Sequence, residues 1–221
     1  MLWRNGTNDV AMDVSRHSSF SGAHYLDCKA DKEVNMENLK ANALIIPVIA
    51  LITVIILYVH LLKHSHNRGA FKRLTYLIIA FSFLLNFAWE MLQMPLYEGM
   101  RLNMQTAMLC GLASIADTLM VLLLYYAFAV IYKEVFWVQH FALKRISILI
   151  VVGATGAILA EMLHVSTGSW RYSQSMPIIP SVNVGVSPVL QFMILPILSY
   201  RISSYFTKFI GHENSAAKHY R

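Results

Sequence analysis

Three carboxylates stand inside apolar stretches of this chain: Glu90, Asp117 and Glu161. Of the 12 acidic residues, six lie in the first forty positions, and Glu98, Glu134 and Glu213 lie in loops or the tail. An ionisable group at a bilayer centre costs about 2.5–3.5 kcal/mol or more, so it faces a protein interior and usually carries function. Carboxyls held in different protonation states do general acid–base chemistry, one giving a proton while another takes it.

Each of the three has polar company at helical spacing. Asn86, Glu90 and Gln93 form one stripe, Cys110, Ser114 and Asp117 a second, and Gly153, Ala157, Glu161 and His164 a third; Gln191 enters from a fifth span. Trp89, Trp170 and Tyr172 supply aromatic faces, which stabilise cations, and Arg171 supplies a charge. The expectation is one polar cavity with Glu90, Asp117 and Glu161 as catalytic carboxyls. Asn86, Trp89, Gln93, His164, Trp170, Arg171, Tyr172 and Gln191 would contact the substrate. No Lys or Arg lies deep in a span. Either Arg101 or Arg171 reaches down, or His164 protonates, or some of the carboxyls stay neutral.

The elements that position these residues follow from hydropathy. With 57% hydrophobic and 14% charged residues, the composition is that of a polytopic membrane protein. Five apolar stretches, near 43–62, 74–96, 107–132, 146–165 and 188–207, can each cross a hydrocarbon core of about 30 Å as a helix. The fold class is therefore all-α, a five-helix transmembrane bundle over residues 41–209. A polar, aperiodic tail precedes it at 1–40 and a short tail follows at 210–221. The first forty residues lack the apolar core of a cleavable signal, so the first span is expected to anchor the chain.

Charge sets the orientation. Lys63, Arg68, Lys72 and Arg73 crowd the first loop, Lys133, Lys144 and Arg145 the third, and Lys208, Lys218 and Arg221 follow the fifth span. The alternation predicts an outside N-terminus and a cytoplasmic C-terminus, so the net charge of +6 reflects topology and no nucleic-acid partner is expected. At about 1.5 Å per helical residue, Glu90 lies about 24 Å above the inner end of its span and Glu161 about 22 Å above its own. Asp117 lies about 15 Å below the outer end of the third span. All three thus share the outer half of the bilayer.

The loop from Ser166 to Val186 holds Gly168, Trp170, Arg171, Tyr172, Pro177, Pro180 and Gly185, which reads as a folded cap rather than a strap. Pro95 is placed to stop the second span; Pro47 and Pro196 fall inside the first and fifth. Gly153 and Ala157 form a small-xxx-small step for close helix contact. Cys28 and Cys110 are two isolated cysteines, a weak basis for a disulfide. Asn5-Gly6-Thr7 matches a glycosylation acceptor.

The competing readings are plain. The carboxylates can serve helix–helix hydrogen bonding alone. Glu161 and His164 have the i, i+3 spacing of a bundle metal-ligand pair, but di-iron sites use two such pairs and this chain has one, so no metal or other cofactor is assigned. The 12 methionines read as core filler. The absence of an intramembrane lysine, a phosphate-binding glycine loop and an Asp-rich motif disfavours a retinal photoreceptor, a nucleotide hydrolase and a diphosphate-ionising synthase.

The segment Asn86-Phe-Ala-Trp-Glu-Met-Leu-Gln-Met-Pro-Leu-Tyr97 resembles a signature of small bacterial integral membrane proteins. Trp170-Arg-Tyr172, Met176-Pro177 and Gly185-Val-Ser-Pro-Val-Leu-Gln191 are similar to that group as well. The Trp89-Glu90 pair also resembles membrane terpene cyclases, which implies a role for Glu90 in protonating an isoprenoid. The five-span plan with buried acids is similar to sterol isomerases of the emopamil-binding type. Together these readings lead to an isomerase or cyclase acting on a lipid or isoprenoid in a membrane, with a bacterial inner membrane as the expected location. Two alternatives stand beside it: a non-enzymatic bundle that binds a lipid, a proton or a partner subunit, and a metal-dependent oxidase built on Glu161 and His164.

Overall fold

The computed structural model describes residues 47–168 and 170–219, with side chains to residue 210. The expected polar tail, with Asn5 and Cys28, lies outside the described residues. Five helices are long and apolar enough to cross a membrane. They are α1 (Pro47–His64), α2 (Arg68–Gln93), α3 (Met104–Tyr132), α4 (Leu143–Ser166) and α5 (Val186–His219). Aliphatic side chains such as Ile52, Ile56, Leu84, Leu112, Val151 and Leu159 remain exposed on the helices, the belt a bilayer would cover.

Helix ends follow local chemistry. The Asn67 side chain accepts from the Ala70 amide at 2.9 Å and starts α2, and Asn103 does the same for Thr106 at 2.8 Å to start α3. Helix α2 therefore begins six residues before the expected edge, and Arg68, Lys72 and Arg73 belong to its first turns rather than to a loop. Pro95 sits in a 3-10 turn, Met94–Leu96, that closes α2, as its missing N–H requires. Residues 210–219, expected as part of a tail, continue α5.

Helix α2 packs against both α3 and α5, and α5 also packs against α4. The α4–α5 contact depends on a glycine. A Cβ on Gly153 would lie 2.3 Å from the Phe192 carbonyl oxygen, so only hydrogen allows the backbones to approach this closely. At the end carrying the basic residues, Phe71, Leu74, Tyr125, Tyr126, Trp137 and Tyr200 form a closed core with Val54 and Leu61 of α1. Its polar atoms are used: Trp137 Nε1 donates to the Tyr125 carbonyl at 3.1 Å, and the Tyr200 hydroxyl to that of Val121 at 2.7 Å.

The opposite end carries the cap. Strands β1 (Ile178–Ile179) and β2 (Val184–Gly185) pair antiparallel around a turn with Asn183 at φ 53°. Tyr97 and Tyr172 form a bridge that ties the cap to the end of α2, with Glu98 N donating to the Arg171 carbonyl at 2.9 Å. Gly185 is tight here, because a Cβ would lie 3.0 Å from the Met176 sulfur and 3.1 Å from the Tyr172 ring. The loop is thus a folded lid over the ends of α2, α4 and α5.

Candidate functional site

Gln191 organises the polar residues of three helices. It is 2% exposed. Its Nε2 donates to Asn86 Oδ1 at 2.9 Å, to Asp117 Oδ2 at 2.9 Å and to Glu90 Oε1 at 3.1 Å. Two amide hydrogens serve three oxygens, so one is shared in a three-centre bond. Its Oε1 accepts from Gln93 Nε2 at 3.2 Å. Gln93 also donates to Glu90 Oε1 at 2.8 Å, and its own oxygen accepts from Trp89 Nε1 at 3.2 Å and Ser187 Oγ at 2.8 Å. The carboxyls of Glu90 and Asp117 are hydrogen-bonding neighbours of each other. One network therefore joins α2, α3 and α5 through two acids and three amides.

Helical geometry explains the convergence on each element. Asn86, Glu90 and Gln93 share the face of α2 that packs on α3 and α5, and Asn86 is fixed further by donating to the Ser82 carbonyl at 2.8 Å. Gln191 lies one turn inside the start of α5, one turn beyond Ser187. Cys110 and Ser114, expected to share this face of α3, do not enter the network. Ser114 Oγ bonds back to the Cys110 carbonyl at 2.6 Å instead.

Glu161 belongs to a second cluster. Its Oε2 accepts from the Tyr172 hydroxyl in a short hydrogen bond and from Trp170 Nε1 at 3.3 Å. The His164 ring stacks on Trp170 with centroids 4.2 Å apart. Tyr97 stands between the two clusters, its ring against Trp170 and Tyr172 and its hydroxyl within the field of Glu161, Glu90 and Asp117. Burial, with the charge of Glu161 next, pushes the Tyr97 phenol well above its usual range. Burial and the hydrogen bond to Glu161 hold Tyr172 up at about 12, so it is a donor at any physiological pH.

The hydrogen bonds place Glu161 in a different cluster from Glu90 and Asp117. An open concavity of about 750 Å³ lies in the cap, lined by Val165–Gly168, Trp170–Gln174, Met176, Ile178 and Asn183. None of the three carboxylates lines it. Trp170, Arg171 and Tyr172 do, while Asn86, Gln93 and Gln191 are buried in the hydrogen-bond network of Glu90 and Asp117. The candidate residues thus form two hydrogen-bond clusters, with Tyr97 beside both. Among the described residues the ion pair present is Arg145–Glu134, so neither Arg101 nor Arg171 neutralises a buried acid. Also among the described residues, no three His, Cys, Asp or Glu are grouped so as to hold a metal ion.

Tyr97 and Ser187 were not in the candidate set. Tyr97 closes the quoted α2 segment just past Pro95, and Ser187 lies four residues before Gln191, which is the signal that could have found each. Compared with known protein families, with curated proteins and with solved structures, the chain matches none.

Proposed function

We propose that the protein is an intramembrane acid–base enzyme that isomerises or cyclises a lipid or isoprenoid. One observation carries this reading: two carboxyls from different membrane helices are neighbours with no cation between them, held by one buried amide. A protonated carboxyl beside an ionised one is the arrangement general acid–base chemistry uses, and this reading assigns it to the pair. Glu90 would deliver that proton to one carbon of an alkene, leaving a carbocation that the Trp89, Tyr97 and Trp170 rings favour. Asp117 would then remove a proton from the adjacent carbon and return it to Glu90 through their mutual hydrogen bond. No proton is gained or lost over the cycle. Glu161, with Tyr172 donating to it, is the second relay, and the cap concavity beside Trp170 and Arg171 is where a lipid would enter.

The resemblance of Trp89-Glu90 to membrane cyclases supports the same assignment, and the loop charges support a cytoplasmic basic end in a bacterial inner membrane. The second reading is a non-enzymatic bundle that binds a proton or lipid. It is favoured by the separation of the concavity from Glu90 and Asp117. Lipid profiles by mass spectrometry from cells making the intact protein or Glu90→Gln, at equal membrane levels, separate the two. A lipid produced or consumed only with intact protein supports the enzyme; identical profiles in an isoprenoid-producing host support the binding role.

A further inference from the structure

Below the Gln191 network, toward the basic end, three hydroxyls are fully enclosed and bond to nothing among the described residues. Ser82 of α2 and Ser199 and Ser203 of α5 are each 0% exposed, and none of their Oγ atoms has a hydrogen-bond partner. The position of each is specific. Ser82 is one helical turn from Asn86, whose amide holds the Ser82 carbonyl at 2.8 Å and accepts from Gln191 at 2.9 Å. Ser199 lies eight residues past Gln191 on α5, about 12 Å along the axis, and Ser203 one turn farther. Ser203 is then seven residues, about 10 Å, from the end of the α5 span at Ile210. Helices α2 and α5 pack against each other, and on this side of the network the Phe81 and Phe206 rings stack with centroids 5.5 Å apart.

A serine inside a helix ordinarily satisfies its hydroxyl on the carbonyl four residues back, as Ser114, Thr118 and Thr207 do in this bundle. These three serines do not. A buried hydroxyl left unpaired costs about 1–3 kcal/mol, and the usual resolution is internal water, which needs polar partners of this kind. The other buried hydroxyls of α2 and α5 toward the basic end, those of Thr75, Tyr200, Ser204 and Thr207, each have a hydrogen-bond partner, which sets these three serines apart.

We propose that Ser82, Ser199 and Ser203 hold a chain of buried water that carries protons between the Glu90–Asp117 pair and the basic end of the bundle. Each hydroxyl accepts a proton on one side and releases one on the other, so it returns unchanged. One proton leaves the solution at the basic end for each one that reaches the pair. The inference rests on the serines and not on any substrate, and it holds for an enzyme or a proton-binding protein alike.

The test is hydrogen–deuterium exchange at the acid pair in the full chain in lipid nanodiscs. Infrared absorption of the protonated carboxyl follows it, with the Glu90→Gln spectrum subtracted to isolate the pair. Mixing into heavy water should shift the band at a rate that falls about tenfold or more in Ser199→Ala/Ser203→Ala, the rate equivalent of one lost hydrogen bond. Ser82→Ala, on the other helix, should slow it in the same sense and decides the matter if the double variant does not fold. An unchanged rate in a folded variant overturns the proposal, because hydroxyls that are merely unpaired would be removed at no cost. A rate that falls in Tyr172→Phe but not in the serine variants places the route at the cap and overturns it too. So does the absence of any carboxyl band sensitive to Glu90→Gln.

Discussion

At the scale of single residues, Gln191 carries the account. Its side chain hydrogen-bonds Asn86, Gln93, Glu90 and Asp117 together. Gln191→Leu, nearly the same volume, strands these groups without a donor and should cost about 3 kcal/mol or more, read as a lowered melting temperature in detergent. Tyr172 gives a pH prediction. Its folded value of about 12 exceeds the ordinary 10.0, so the folded chain binds this proton more tightly than the unfolded chain. The resulting stability is complete below pH 10 and is lost as pH rises through 12. Tyr172→Phe should remove that part of the alkaline loss, measured by melting at stepped pH. Glu90, Asp117 and Gln191 were legible because polar groups in apolar runs are costly and few. That Glu161 joins Trp170 and Tyr172 was not, because a loop's path across a bundle has no periodicity to read.

At the scale of elements, the spans were legible to within a few residues, and the exceptions have causes. The expected start of α2 at Leu74 fell six residues late because Arg68, Lys72 and Arg73 read as loop. Long basic side chains snorkel, so a helix continues past its apolar window; the Asn67 cap marked the true start. The Trp137 turn and its aromatic core were missed because the segment is short and lacks a repeat. The small-residue step at Gly153 is where the α4 and α5 backbones meet. Gly153→Ala should push α4 from α5 and cost about 1–3 kcal/mol or more, whereas Gly156→Ala, with nothing within 4 Å of its added Cβ, should melt like the parent. Equal melting of the two variants would contradict the packing described.

At the scale of the whole molecule, the all-α membrane bundle was evident from composition and five apolar runs, since a bilayer admits few other solutions. The basic loops all fall at one end, opposite the cap. A reporter fused after Arg221 should therefore be active on the cytoplasmic side, and activity on the far side would reverse the proposed orientation. The central claim is that the Glu90–Asp117 pair moves protons onto and off carbon. It is tested most directly by incubating the purified protein in nanodiscs with host lipid extract in heavy water and weighing the lipids. With the protein equilibrated in heavy water first, the pair starts deuterated, so the account predicts a lipid that gains at least one deuterium at carbon per parent protein and none with Glu90→Gln. Products free of deuterium, or deuterium gained equally with Glu90→Gln, would contradict it.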